Sequence, residues 1–217
     1  MKPAICGVIT EDDREVISAA EPLVDLFEVR IDLIGERWPE VAQELTTPWL
    51  ACNRLAAEGG RWVGTEARRQ EELLKALGLG ASIIDLELAT PDLARLVEAV
   101  KKKARCLISF HNFSATPPIE ELEGIIKQQL AAGADICKLV TTASSIDDNL
   151  RLLRLYGKFG SQKLVAFAMG ELGVLSRTLS PLAGAEFTYA ALVADRQSAP
   201  GQMTVAQLTE IYRLLKT

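Results

Sequence analysis

Phe27-Glu28-Val29-Arg30-Ile31-Asp32 alternates strictly between apolar and charged residues. Extended, the segment puts Phe27, Val29 and Ile31 on one face and Glu28, Arg30 and Asp32 on the other. Alone it reads as a solvated antiparallel strand. Its surroundings decide otherwise. Short β-like runs recur at Ile5–Thr10, Leu26–Asp32, Trp49–Arg54, Ser82–Ala89, Cys106–Phe113, Ile136–Thr142, Leu164–Met169 and Phe187–Val193. They are spaced by roughly 20 to 30 residues, the size of one βα unit. Eight such units in succession predict a single-domain (β/α)8 barrel over residues 1–217. The competing fold, a doubly wound open sheet, lacks its glycine-rich fingerprint, because Gly7 stands alone after the first run. In a closed barrel the charged face of the 27–32 segment must point inward, where its charges need partners near the mouth. Ile84-Asp85-Leu86-Glu87-Leu88 repeats the pattern with two carboxylates.

The stretches between the runs carry helix punctuation. Thr90-Pro91-Asp92 offers a cap, a first-turn proline and an acid before Leu93, Leu96, Val97 and Val100, spaced i, i+3, i+4, i+7. Thr116-Pro117 opens a helix with Leu122, Ile125 and Ile126 on one stripe, and Ser145 precedes one carrying Ile146, Leu150 and Leu153. Thr204 and Gln207 have capping-box spacing, and Gly78 and Gly133 are expected helix stops. No Ser/Pro/Gly-rich linker interrupts the rhythm.

Composition narrows the function. A net charge of −5 argues against general affinity for nucleic acid or anionic membrane, while leaving room for a small anionic substrate met by clustered arginines. The basic run Lys101-Lys102-Lys103-Ala104-Arg105 is expected at a helix C-terminus, where cations complement the dipole. Cys6, Cys52, Cys106 and Cys137 form no CxxC pair and sit in apolar runs, so they read as core residues of a reducing compartment. One histidine rules out a histidine-rich metal site, and no stretch is long and apolar enough to span a bilayer. A strand-like run follows the N-terminus almost at once, leaving no room for a signal peptide, so the expected location is the cytosol.

Two residues suggest chemistry. Lys138 interrupts the apolar run Ile136-Cys137-Lys138-Leu139-Val140, where an ammonium is costly unless paired, or unless desolvation is used to make a nucleophilic amine. His111, the single histidine, ends Cys106-Leu107-Ile108-Ser109-Phe110-His111. Each has a plainer reading: a structural ion-pair partner for Lys138, a hydrogen-bonded core histidine for His111. Arg54, His111 and Lys138 come late in their runs, and polar groups at the C-terminal ends of barrel strands mark the catalytic face of this fold. Arg177, after Gly170 and Gly173, is either a surface arginine or a fork for a carboxylate, and Ser198-Ala199-Pro200-Gly201-Gln202 is either a turn or a loop that folds over a ligand.

In order along almost the whole chain, a set of motifs resembles the type I 3-dehydroquinate dehydratases. They are Glu28-Val29-Arg30-Ile31-Asp32, Arg54 with Glu58-Gly59-Gly60, Ile84-Asp85-Leu86-Glu87, and Ser109-Phe110-His111-Asn112-Phe113. Lys138-Leu139-Val140, Met169-Gly170 with Ser176-Arg177, and Ser198-Ala199-Pro200-Gly201-Gln202 complete the set. The resemblance implies a barrel lyase that dehydrates 3-dehydroquinate to 3-dehydroshikimate by syn elimination, with no metal or organic cofactor and as a homodimer. It implies Lys138 as the imine-forming amine, His111 as base and then acid, and Glu58 as the partner that orients His111. Arg177 would hold the substrate carboxylate, and Glu28, Arg30, Arg54, Ser198 and Gln202 its hydroxyls and carbonyl. The first run, Ile5-Cys6-Gly7-Val8-Ile9-Thr10, carries no serine where the family has a substrate contact. Ala51-Cys52-Asn53 also differs from the family's commoner pattern before Arg54.

Two other readings compete. A class I aldolase would use the same lysine, but such aldolases often bind sugar phosphates at glycine-rich backbone sites, and Ala199-Pro200-Gly201-Gln202 has no glycine pair. A non-catalytic sensor of quinate-like acids would have no need for both Lys138 and His111.

Overall fold

The computed structural model describes residues 3–215; the two residues at each end of the expected 1–217 barrel lie outside that range. Eight parallel strands alternate with helices: β1 Ile5–Ile9, β2 Leu26–Arg30, β3 Trp49–Cys52, β4 Ile83–Glu87, β5 Arg105–His111, β6 Ile136–Thr142, β7 Leu164–Met169 and β8 Thr188–Ala191. The longer helices are α1 Arg14–Ala20, α2 Trp38–Glu44, α3 Glu66–Gly78, α4 Leu93–Lys101, α5 Ile119–Ala131, α6 Ile146–Lys158, α7 Val174–Ala183 and α8 Val205–Leu214. The strand order β7-β6-β5-β4-β3-β2-β1-β8 wraps the sheet round on itself into a single-domain TIM barrel.

Closure is nearly, not fully, laddered. Among the described residues β8 pairs with β1, and its contact with the β7 side begins with Glu186 N–H donating to Leu164 O at 2.9 Å. Further up, α7 fills the seam. Arg177 of α7 stands over the Phe167 ring of β7, and the Thr188 hydroxyl of β8 donates to the Arg177 carbonyl.

Alternation along each strand sorts side chains into two compartments. Phe27, Val29, Ala51, Ile84, Leu86 and Ile108 pack outward against helix residues such as Leu73, Leu96 and Val100. Inside the barrel Cys6, Leu26, Leu50, Ile83, Leu107, Ile136, Val165 and Phe187 form an apolar plug. Glu28, Arg30, Asp85, Glu87, Ser109 and Lys138 are also buried. They lie on the inward parity of their strands, further toward the C-terminal ends than the plug, where a substrate can enter from the mouth.

Several local expectations change. Asp32 is not on the strand: the chain turns helical at Ile31–Ile34, and Asp32 instead accepts both arms of Arg30, at 2.9 and 2.7 Å. Asp92 precedes α4 in a left-handed conformation with no capping bond, and Thr90 is drawn away to receive a hydrogen bond from Arg69. Thr116 likewise bonds to Thr141 and Thr142, and α5 starts three residues later. Gly78 remains helical and Gly80 supplies the positive φ of 93°, whereas Gly133, φ 96°, ends α5 as expected. α6 carries the capping box at Ser145 but buries Leu152, Leu155 and Tyr156, leaving Ile146 and Leu150 exposed. Its register is held by Asn149, which bonds the Leu172 carbonyl and the Ser176 amide beside α7. The other capping box, Thr204 with Gln207, forms at α8, and Lys101 ends α4 and pairs with Asp135.

Candidate active site

Lys138 is the third residue of β6, mid-strand and not near its end, and only 5% of it is exposed. The structure realises the paired alternative. Its Nζ donates to Asp85 at 3.0 Å, lies 3.7 Å from Glu28 Oε1, and stands 4.4 Å from the centre of the Tyr189 ring. Asp85 also receives Arg54 Nη2 and the Ser109 hydroxyl. These partners outweigh its burial and hold its carboxyl far below the usual range. Arg54, just past β3, reaches Ser109 and Glu87 as well.

Arg69 of α3 explains how a strand end so rich in charge stays ordered. Its side chain is fully buried, bonded to Glu66, to the Asn53 carbonyl and to Thr90, and lies 3.5 Å from Glu87. It ties helix α3 to the segment that aims Arg54. Nothing in the spacing of α3 marks this arginine, since its neighbour Arg68 looks the same in sequence and is exposed.

His111 ends β5. Its Nδ1 lies 2.9 Å from Glu58 Oε2, and its ring stacks on Phe113 with centroids 5.9 Å apart. Glu58 is brought there by a tight loop after Arg54, in which Gly59 adopts φ 77°. A side chain on Gly59 would also meet the Phe113 ring at 2.6 Å, so glycine is required twice over. Burial, with the nearby Arg54 and Lys138 cations, pushes His111 well below its ordinary value, so its imidazole is neutral at neutral pH. Burial raises Glu58 to about 7. With Nδ1 tied to Glu58, Nε2 is left to carry the lone pair that a base needs.

Arg177 is 2% exposed, and among the described residues its Nε and Nη2 have no hydrogen-bond partner. Burial lowers it to about 10. An unpaired buried guanidinium edge with two N–H donors fits a carboxylate. Ser198 donates from its amide and hydroxyl to Gln202 Oε1, leaving Gln202 Nε2 unpartnered. The loop is seated by the Gly170 amide on the Pro200 carbonyl, 3.2 Å apart.

All nine residues singled out in the sequence, Lys138, His111, Glu58, Glu28, Arg30, Arg54, Arg177, Ser198 and Gln202, line one cavity of about 170 Å³. Sequence reading did not select Asp85, although it lay in an inward alternating run, nor Tyr189, Phe167, Met169 and Phe113, which complete the walls or hold the polar groups. Thr10, the one hydroxyl of the first run, does not line this cavity; it lines a neighbouring one with Glu11 and Arg196. Glu28, Cys52 and Asp85 bring potential metal donors within 4.8 Å of one another, but Arg54 and Lys138 already neutralise Asp85 and burial keeps the Cys52 thiol protonated. The arrangement suits an amine nucleophile and a proton carrier better than a cation.

Comparison with known proteins points the same way. The model of the type I 3-dehydroquinase family matches residues 5–217. The chain is 47% identical over 212 residues to a 3-dehydroquinate dehydratase of Dehalococcoides mccartyi, covering 97% of this chain and 95% of that one. It is 35% identical to the protein of that name from Methanosarcina mazei, covering 99% and 96% of the two chains. The crystal structure of 3-dehydroquinate dehydratase from Geobacillus kaustophilus superposes with a TM-score of 0.84 at 27% identity, covering all of this chain and 92% of that one. The type I enzyme from Clostridium difficile, solved with covalently modified comenic acid, gives 0.84 at 26% identity, covering 99% and 92%. A 3-hexulose-6-phosphate synthase gives 0.62 at 16% identity, covering 97% and 99%, a likeness of fold alone.

Proposed function

The chain belongs to the type I 3-dehydroquinase family and dehydrates 3-dehydroquinate in the shikimate pathway, and from that premise we propose that it does so through an imine on Lys138. Lys138 and His111 lining one buried cavity is the observation that carries the mechanism.

Arg177 holds the substrate carboxylate by two parallel N–H bonds, while Glu28, Arg30, Arg54, Ser198 and Gln202 hold its hydroxyls and carbonyl. Lys138 gives one ammonium proton to solvent as the substrate enters, and the freed amine adds to the ketone carbon; the ketone oxygen takes one proton from Nζ and one back from solvent and leaves as water. The iminium so formed keeps the positive charge on Nζ, so the ion pair with Asp85 is already in place for it. The iminium draws electrons from the neighbouring C–H bond. Neutral His111, oriented by Glu58, takes that proton and returns it to the departing hydroxyl. One imidazole working from one face gives syn loss of water. Hydrolysis of the imine then frees 3-dehydroshikimate and Lys138. The imine is the electron sink, so this route calls for no cofactor.

Borohydride added during turnover tests this directly. Reduction should fix a covalent adduct on Lys138, located by peptide mass, while the conjugated enone product is followed in the ultraviolet. Turnover with no adduct rejects the imine.

The same family premise supports a homodimer. Ile146 and Leu150 on α6 and Leu172, Leu175 and Leu182 in and before α7 are large apolar residues left exposed, a surface suited to a second copy. Light scattering at the monomer mass would exclude it. Four buried, unbridged cysteines support a cytosolic location, and among the described residues no helix is long and apolar enough to cross a membrane.

A further inference from the structure

Among the described residues, two buried polar atoms in the cavity wall near Lys138 have no hydrogen-bond partner: the Tyr189 hydroxyl, which the steps above do not use, and Glu28 Oε1, which they assign only in general to the substrate's oxygens. Unpartnered buried groups are uncommon, and two in one cavity ask for a shared ligand. Both belong to the surroundings of Lys138. Glu28 Oε1 is 3.7 Å from Nζ, and the Tyr189 ring lies against the same Nζ at 4.4 Å. The backbone puts them together, because β1 separates their strands. Tyr189 pairs with Cys6, and Val8, two residues on, pairs with Glu28. The ring itself cannot swing away, since Phe167 and Phe187 meet it edge-on with centroids 6.2 and 5.3 Å off.

One is a donor and the other an acceptor, and the oxygen that Lys138 expels from the substrate needs one of each in turn. When Nζ adds to the ketone carbon, the π electrons move to oxygen and a hydrogen-bond donor must meet the growing negative charge. Once that oxygen has taken a proton from the newly bonded Nζ it is a hydroxyl on the carbon bonded to Nζ, and its O–H needs an acceptor. We infer that Tyr189 is a further catalytic residue, its hydroxyl donating to the substrate's ketone oxygen during addition of Lys138, with Glu28 accepting from the same oxygen when it has become a hydroxyl. No proton need be lost by the phenol. Burial, then the Glu28 carboxylate, push Tyr189 well above its ordinary value, which keeps it a donor throughout. The division of labour follows. Tyr189 and Glu28 serve the carbon–nitrogen steps, His111 and Glu58 the carbon–hydrogen and carbon–oxygen steps. This inference rests on the imine reading, and its test separates the two.

The test is Tyr189→Phe in the full chain. The substitution keeps the ring over Nζ and removes only the hydroxyl, which has no protein partner, so the melting temperature should stay the same or rise. The expected kcat loss is about 10²-fold, the scale of one lost oxyanion donor. Addition should become rate-limiting. The kinetic isotope effect from deuterium at the carbon that loses its proton should therefore shrink toward unity, and the borohydride-trapped fraction at steady state should fall below wild type. A rise in KM with kcat and isotope effect unchanged would reduce Tyr189 to a binding contact and overturn the inference. So would an unchanged rate, a full isotope effect with undiminished trapping, or a lowered melting temperature. Failure to trap any adduct in the wild-type protein would instead remove the imine reading itself.

Discussion

Ser109 of β5 sits opposite Lys138 of β6, and His111, two residues beyond Ser109, therefore faces the same barrel interior one step nearer the mouth. Parallel pairing thus sets the proton carrier over the nucleophile. A slip of one residue in that ladder would turn Ser109 and His111 outward together. The Ser109 hydroxyl reinforces the register by bonding Asp85, the carboxylate that holds Lys138.

Because amine and imidazole act in different steps, their removal should fail differently. Lys138→Ala should give no borohydride adduct and no measurable turnover. His111→Ala should still yield adduct, more slowly, and lose about 10² to 10⁴ in kcat, the usual worth of a positioned acid–base group. Trapping by mass spectrometry in both variants decides it. An unimpaired rate in His111→Ala would take that residue out of the mechanism.

The barrel was legible because its signal is periodic and repeated: alternating runs at the spacing of βα units, with charges on the one face a parallel barrel turns inward. Lys138 and His111 stood out because each breaks an apolar run. Asp85 did not stand out, for its importance lies in partners from just past β3 and from β5 and β6 that are 24 to 53 residues away. Arg69 and Tyr189 were hidden for the same reason, as an arginine on a charged helix and a tyrosine in an apolar run look ordinary until neighbours are placed. Helix starts at Thr90 and Thr116 misled because their hydroxyls serve tertiary contacts with Arg69 and Thr141 in preference to local caps.

Asp85 is a structural keystone as well as a counter-charge. Asp85→Ala leaves Arg54 and Lys138 buried beside each other with their shared anion gone. Breaking a buried ion pair by removing one partner costs about 3–5 kcal/mol. Urea unfolding should show a loss of that order, and activity should fall even under conditions where the variant is folded. Stability within 1 kcal/mol of wild type, by that rough scale, would mean that Glu28 and Glu87 replace Asp85 fully.

Arg177 presents two adjacent unpartnered N–H groups, Nε and Nη2, so geometry and not charge alone should set affinity. Arg177→Lys keeps the charge and loses the fork. KM should rise by about 10-fold or more, the scale of one charge-assisted hydrogen bond, with a smaller change in kcat. A substrate amide in place of the carboxylate should lose affinity for wild type and show little further loss for the variant. Equal KM values for wild type and variant would place the carboxylate elsewhere.

Activity should fall on the acid side for a reason that lies with Glu58. Burial holds Glu58 near 7, above its ordinary 4.5, while burial and neighbouring cations hold His111 well below its own ordinary value. Lowering the pH through about 7 therefore protonates the carboxylate before the imidazole, and the His111 Nδ1–H loses its charged acceptor. The kcat/KM profile should show an acid limb near that pH, belonging to the coupled pair. Glu58→Gln should lower the plateau and carry the limb to lower pH, where the imidazole itself protonates. Stability gives an independent reading. A carboxyl raised on folding binds an extra proton in the folded state between 4.5 and about 7, so its contribution favours the fold below that window and is lost as pH rises through it. Glu58→Gln should accordingly melt higher relative to wild type at pH above about 7 than at pH below 4.5. A limb that stays put in the variant, with no such divergence in melting, would assign the acid limb to another group.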